Sequence, residues 1–184
     1  MEGLAWPKPS VVHFSEAFVI CAGSVLFRRD AEDTWQICIL HNRTDQLFVL
    51  PKGRKDCGET TEEAAIRETH EETGYPCKLL PCTMMTRAPP PSINVVDEPR
   101  AIEGATEPFA VTFRDQNGTK VIWWYLTIVS GEKEEGTQTA SENYLSEFIT
   151  PGQAIQKLTF QEDRNLVHRA LTLVQSCYPE GCVT

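Results

Sequence analysis

Apolar residues enter this chain in short runs of strand length, divided by polar segments rich in turn-forming residues. Residues 17–28, AFVICAGSVLFR, are rich in Val, Ile and Phe and predict a strand, with Gly23 permitting a bulge or the close approach of another backbone. The turn-like RRDAEDT leads to WQICILH, the expected antiparallel partner, and FVLPKG follows as a short apolar strand ending at Pro51. CKLLPCTMMT predicts a strand interrupted or edged by Pro81. Residues 86–107 hold several prolines and no clean period, which predicts a long loop. FAVTFRD and KVIWWYLTIV flank QNGT, whose Asn117-Gly118 pair is a strong hairpin signal. Trp123 and Trp124 then point to opposite faces of one strand, so only one of them belongs to the core. GEKEEGTQTASEN predicts a polar connection. Near the end the period turns helical: TPGQAIQKL predicts a short helix, and FQEDRNLVHRALTLVQ a longer one with Leu166, Val167, Ala170, Leu171 and Val174 on one face. No internal repeat or domain boundary interrupts residues 1–184, which read as one α+β domain, a mixed sheet with helices packed on it.

The segment between the third and fourth runs, residues 53–75, breaks the strand pattern and is crowded with glutamate. Thr60 with Glu63 three residues later makes a capping box, and Gly74 is placed to end the helix in the left-handed region. A helix over about Thr61 to Thr73 follows. At 100° per residue Ala65, Ile66, Thr69 and Thr73 share a packing stripe. Glu68, Glu71 and Glu72 stand at i, i+3 and i+4 and are expected to converge on a neighbouring face. Glu62 and Glu63 meet the positive end of the helix dipole, but the other three repel one another. Arg67 can pair with Glu71, yet one arginine does not neutralise three carboxylates. Hard oxygen ligands grouped in this way suit Mg²⁺ or Mn²⁺ bound together with substrate phosphates. The competing reading is a solvated acidic helix face.

Charge and cysteine usage narrow the function. A net charge of -9 disfavours a protein that coats nucleic acid or anionic lipid non-specifically, although it leaves room for a local basic pocket. The seven cysteines form no CxxC pair and no zinc-ligand spacing, which predicts mostly buried thiols in a reducing compartment. No apolar run is long enough to span a bilayer, and the N-terminal MEGLAWPKPS lacks signal-peptide features, so a cytoplasmic or nuclear location is expected. Delivery into a host cell stays open should a leader precede Met1. The sequence leaves open whether the chain has an obligate protein partner.

Gly53, Glu59, Arg67-Glu68, Glu71-Glu72 and Gly74-Tyr75 match the pattern Gx5Ex7REUxEExGU, departing from it at Thr69, where a bulky aliphatic is usual. In these residues the chain resembles the Nudix hydrolases. The resemblance implies an α/β/α sandwich around a mixed sheet, with a loop-helix-loop motif and a core over about residues 17–177. It also implies hydrolysis of a diphosphate linked to another moiety. Glu68, Glu71 and Glu72 would hold Mg²⁺ or Mn²⁺ with the Gly53 carbonyl, Arg67 would orient the glutamates, and Glu59 would brace the loop. Glu68 is the first candidate for general base, with Glu142 and Glu147 as alternatives. The stretch HNRTDQLFVLPKGRKDCGE resembles the PKG-type lead-in of diphosphoinositol polyphosphate and diadenosine polyphosphate hydrolases. On that resemblance Lys52, Arg54 and Lys55 beside the metal loop, His41 and Arg43 before it, and Arg28 at the rim are candidate contacts for a small polyphosphorylated substrate. ADP-ribose, another nucleoside diphosphate derivative or capped RNA are the alternative substrates. A non-catalytic binder of a phosphorylated ligand is the alternative of another class.

Overall fold

The computed structural model describes residues 10–115 and 118–179. Its centre is the first apolar run, β1 (Phe18–Arg29), and the longest later one, β9 (Thr119–Val129), which lie parallel from Phe18 opposite Thr119 to Phe27 opposite Ile128. β2 (Trp35–Asn42) pairs antiparallel with β1, but only near the turn that joins them, with Phe27 opposite Ile37. Beyond that point the two strands diverge, and the FVLPKG segment fills the gap. It does so as two strands: β3 (Leu47–Val49) continues against β2, and β4 (Lys52–Arg54) continues against β1. The single strand expected to end at Pro51 is therefore broken at that proline, which has no N–H to donate, while its carbonyl accepts from Ser24 N–H at 3.1 Å. Gly23 is where the backbones crowd. A Cβ there would lie 2.5 Å from Lys52 Cβ and from the Pro51 carbonyl oxygen, which is the close approach anticipated at this residue.

β5 (Cys77–Leu79) and β8 (Ala110–Asp115) pair antiparallel with β9, and β10 (Tyr144–Ile149) with β2, completing a mixed eight-stranded sheet. Asn117 of the anticipated hairpin turn lies outside the described residues; the strands flanking it pair as expected, Asp115 opposite Thr119. The stretch CKLLPCTMMT divides at Pro81 into β5 and β6 (Cys82–Thr86). Within the expected loop 86–107, residues Arg100–Ala105 form β7, paired with β6 as a separate two-stranded sheet. Its sequence, RAIEGA, presents no apolar face, and pairing with β6 rather than its own pattern makes it a strand.

One face of the large sheet carries α1 (Thr61–Thr73), the other α2 (Pro151–Lys157) and α3 (Gln161–Cys177), giving an α/β/α sandwich. The two-residue period of β1 serves both layers: Ala22 and Leu26 pack with α1 residues, while Val25 and Phe27 join the larger core with Leu166, Val167, Ala170 and Val174 of α3. On α3, Leu173 rather than Leu171 completes the buried face. On α1, Ala64 lies deeper than Ile66, because the helix turns its smallest residues to the sheet. Trp124 is fully buried and Trp123 half-buried, in keeping with their opposite faces. Cys21, Cys38, Cys77 and Cys82 are buried free thiols, and Cys57 is exposed.

Thr69, the departure from the usual aliphatic, has its own explanation. Its hydroxyl lies 2.7 Å from Ser24 Oγ, which lies 2.7 Å from Thr127 Oγ1, and Thr69 also donates to the Ala65 carbonyl at 2.6 Å. A serine of β1, a threonine of α1 and a threonine of β9 thus bond one another in the interior, where a larger apolar group at position 69 would take from Ser24 one of its two hydroxyl partners.

Candidate active site

α1 begins as its sequence dictates. Thr60 caps the Glu63 N–H and the Glu63 carboxylate returns to the Thr60 N–H, while Gly74 closes the helix with φ of 80°. The helix rests on β4 so closely that a Cβ at Gly53 would overlap the Glu68 carboxylate. Glycine is required there to admit a charged group against the backbone.

The three expected glutamates do not act alike. Glu72 is only 40° around the helix from Glu68, whereas Glu71 lies on the opposite side of Glu68 by 60°. Glu68 and Glu72 are therefore buried against β4, with 7% and 4% exposure, and Glu71 turns outward to Arg67. The group that joins Glu68 and Glu72 is Glu142, which the sequence offered only as an alternative base: carboxylate oxygens of Glu68, Glu72 and Glu142 all lie within 4.8 Å of one another.

Arg67 organises the motif with all five of its N–H donors. Nε and Nη2 grip the two oxygens of Glu59 at 2.8 and 3.0 Å, Nη1 donates to Glu68 and to Glu71 at 2.9 Å each, and Nη2 also donates to the Arg54 carbonyl at 2.9 Å. Glu59 in turn accepts from the Asp56 N–H at 2.9 Å. This arginine holds the Glu59 carboxyl below its ordinary range, with the Asp56 N–H contributing. Among the described residues Glu72 has no such partner; it accepts the Lys52 N–H at 2.8 Å. Burial pushes its carboxyl up to about 8, against the pull of Lys52 and with Glu68 and Glu142 adding to the rise. Burial likewise raises Glu68, and Arg67 opposes it.

Glu142 arrives by a connection that also finishes α1. The last carbonyls of a helix have no partner within it. Here Thr137 donates to the Glu71 carbonyl at 2.8 Å, Gln138 to that of Glu72 at 3.1 Å, Ser146 to that of Thr73 at 2.8 Å, and the Glu134 N–H to that of Gly74 at 2.7 Å. Gln138 further brackets Tyr144 through both its N–H and carbonyl at 2.9 Å. The polar segment between β9 and β10 is thereby moulded onto the helix end and presents Glu142 to the buried pair. The polar composition of this segment gives no indication of that docking. Glu147 belongs elsewhere: on β10 the side chains of Ser146 and Phe148 face α1, so Glu147 faces α2, where it pairs with Lys157.

The expected cations divide by face. In β4 only Gly53 faces α1, so Lys52 and Arg54 point to the other side, next to Cys21. Burial raises that thiol while Lys120, Lys52 and Arg54 pull it down, which brings Lys120 of β9 into the same basic group. Lys120 was not singled out by sequence, because no local motif marks it. Lys55 folds back onto the Asp56 carbonyl at 2.9 Å. Arg43 is exposed, and its N–H donates to the Asn143 carbonyl at 3.0 Å, next to Glu142. His41 and Arg28 are not brought to the carboxylates. His41 stacks on Phe48 at 4.6 Å on the α2 side, and Arg28 lies over the Phe148 ring at 3.9 Å. Arg28 is some 20 Å along β1 from Ala22 at about 3.3 Å per residue. It lines a separate cavity of about 790 Å³ with Arg29, Trp35, Leu80 and Tyr178. No described helix is long and apolar enough to cross a membrane.

A 61-, a 73- and a 47-residue stretch align with three curated relatives, spanning only 17%, 23% and 32% of their lengths. The second is an 8-oxo-(d)GTP phosphatase of Mycolicibacterium smegmatis, 38% identical over 35% of this chain. Among solved structures, an Ap4A hydrolase of C. elegans in a binary complex superposes with a TM-score of 0.58 at 20% identity, covering 84% of this chain and 95% of that one. A UDP-X diphosphatase superposes with a TM-score of 0.55 at 15% identity, covering 90% and 67%. At these identities the structures establish a shared fold. The NUDIX domain model matches residues 18–170, from the first residue of β1 into the last helix, and the chain belongs to the Nudix family.

Proposed function

We propose that this protein is a divalent-metal-dependent hydrolase of phosphoanhydride linkages, acting on diphosphoinositol polyphosphates and secondarily on diadenosine polyphosphates. The observation that carries the reading is the trio Glu68, Glu72 and Glu142, two of them buried, with oxygens within 4.8 Å of one another. Such a set of hard, mutually repelling donors fits Mg²⁺ or Mn²⁺, with Glu71 and the Gly53 carbonyl at its margin. A bound ion would polarise a phosphoryl oxygen, neutralise developing charge and acidify water near neutral pH.

The chain's own groups supply the rest. Arg67 anchors Glu68 through Oε1, leaving Oε2, the oxygen turned to Gly53, to take a proton from the attacking water. Glu59 keeps Arg67 in place, and the Lys52 N–H does the same for Glu72. Lys52, Arg54 and Lys120, grouped about Cys21 on the sheet face opposite α1, add positive charge beside β4, and this charge rather than contact with the carboxylates supports a substrate with several phosphates, since arginine grips phosphate oxygens in pairs and lysines add point charge.

The test is phosphate release with Mg²⁺ or Mn²⁺ from a diphosphoinositol polyphosphate, a diadenosine polyphosphate, ADP-ribose and capped RNA. Preference for the inositol substrate is expected, with Glu142→Gln lowering turnover about 100-fold and Glu147→Gln leaving it unchanged. Turnover of a nucleotide alone would retain the chemistry and discard the inositol substrate. Silence on every substrate, with tight binding of one, would make the protein a binder.

A further inference from the structure

The reaction above makes no use of the cysteines, and two of them stand where separate elements meet: Cys177 closes α3 and Cys82 opens β6. The ladder between β6 and β7 is irregular from Cys82 to Met84, and there the Thr83 N–H donates to Cys177 Sγ at 3.1 Å. Tyr178, the residue after the helix, donates its hydroxyl to the Pro81 carbonyl at 2.6 Å. Residues 177 and 178 therefore bond the two peptide groups that flank the Cys82 Cα, one on each side.

Bond geometry turns these contacts into a separation. The Thr83 nitrogen is about 2.4 Å from the Cys82 Cα, so the Cys177 sulfur lies at most about 5.5 Å from that carbon. Bridged cysteines hold their Cα atoms about 4.4–6.8 Å apart, so one sulfur already stands as near the other residue as a bridge requires of the backbones themselves. Cys82 belongs to the main buried cluster, and Cys177 packs against that cluster. Both are free thiols, and both line a cavity of about 520 Å³ with Thr83, Gly104 and Tyr178 among its walls. The two sulfurs differ in access. Cys82 is 1% exposed, and burial pushes its thiol up to about 12, with Cys177 adding to the rise, whereas Cys177 itself is only half-buried.

We propose that Cys82 and Cys177 are a peroxide-sensitive thiol pair that closes, by side-chain rotation, into a disulfide between β6 and the end of α3. The oxidant is a hydroperoxide, of which hydrogen peroxide is the simplest. Cys177, the more accessible sulfur, attacks one peroxide oxygen as its thiolate. The O–O bond breaks, the departing hydroxide takes up a proton as water, and Cys177 is left as a sulfenic acid. The Cys82 sulfur then attacks the Cys177 sulfur, the S–O bond breaks, and the hydroxide released takes the Cys82 proton to form a second water. Two thiols have lost two electrons and two protons to one peroxide. The bond closes a loop of roughly 95 residues and ties the small β6–β7 sheet to α3. No group of the candidate active site takes part.

The test is peptide mapping of the full chain by mass spectrometry without reductant, after a small excess of hydrogen peroxide and alkylation of the remaining thiols. A linked pair of peptides holding Cys82 and Cys177 is expected, absent from untreated protein and from Cys177→Ser, and retained in Cys57→Ser. The thermal midpoint should rise by about 5 °C or more with the bond and return when a dithiol removes it. In Cys82→Ser the intermediate has no partner, and a dione probe for sulfenic acids should label Cys177. Should that variant fail to fold, Cys82→Ala gives the same reading, and the wild-type map decides by itself. Cys182 lies outside the described residues and is the competing partner: a Cys177–Cys182 link in place of Cys82–Cys177 would overturn the proposal. Oxidation of Cys57 alone would do the same, as would Cys177 carried on to sulfinic acid with Cys82 still free. A Cys82–Cys177 link that forms without raising the midpoint would refute the tether, because the bond would then be held under strain.

Discussion

Glu72→Gln in the metal-free protein probes the central tension of the site. Glu72 is 4% exposed, and its carboxyl is pushed up to about 8, first by burial and then by Glu68 and Glu142. A carboxyl raised in the folded state stabilises the fold fully below the ordinary carboxylate range. That stability is lost as pH rises from there through about 8. A tenfold difference in proton affinity between the folded and unfolded chain is worth about 1.4 kcal/mol, so the loss between pH 5 and 8 is about 2–4 kcal/mol. Glutamine keeps an acceptor for the Lys52 N–H and has no charge to bury. Thermal unfolding in chelator should give nearly equal midpoints for wild type and variant at pH 5. By pH 8 the variant should lead by roughly 5–10 °C, at about 2–4 °C per kcal/mol for a chain of this size. Excess Mn²⁺ should close the gap by stabilising the wild type alone. Midpoint curves that run parallel from pH 5 to pH 8.5 in chelator would refute the argument that Glu72 is buried at the expense of the metal-free fold.

Other groups give sharper local tests. Arg67→Ala strands Glu59 and Glu68 and should cost about 3 kcal/mol in urea unfolding; Arg67→Lys should recover less than half, because an ammonium cannot span Glu59, Glu68, Glu71 and the Arg54 carbonyl together. Gly53→Ala places a methyl on the Glu68 carboxylate and should weaken Mn²⁺ binding about tenfold or more while the far-ultraviolet circular dichroism stays that of the wild type. Thr69→Val should cost about 1 kcal/mol, and the double change Ser24→Ala with Thr69→Val less than the sum of the two single changes, since the hydroxyls satisfy one another. Additive costs in that cycle would count against the hydroxyl cluster.

Legibility in the sequence followed the range of the interactions. The Thr60–Glu63 capping box, the Gly74 stop and the bounds of α1 were readable because each depends on residues within a few positions. β1, β2 and the β8–β9 pair were readable from composition and turn residues. β7 and β10 were not: neither RAIEGA nor YLSEFI carries a strong apolar period, and each becomes a strand because a partner, β6 or β2, offers an open edge. The division of the glutamates was half legible. Angular spacing on a helix separates Glu71 from Glu68 and Glu72, but which side faces β4 depends on the glycine at 53 and on Arg67 drawing Glu71 outward.

By itself the sequence determined the family motif, the helix that carries it, the carboxylates available to a cation and the apolar alternation from which a two-faced sheet is built. The tertiary structure decided which of those groups meet. Glu142 joins Glu68 and Glu72 because the segment before β10 satisfies the open carbonyls at the end of α1. Lys120 joins Lys52 and Arg54 because β9 and β4 both flank β1. Glu147, His41 and Arg28 leave the site because the two-residue period and the length of their strands carry them to another face or another end. A side chain's chemistry and local conformation are set by its near neighbours in the chain. Its company in space is set by strand register and by the unsatisfied backbone groups that distant segments come to bond.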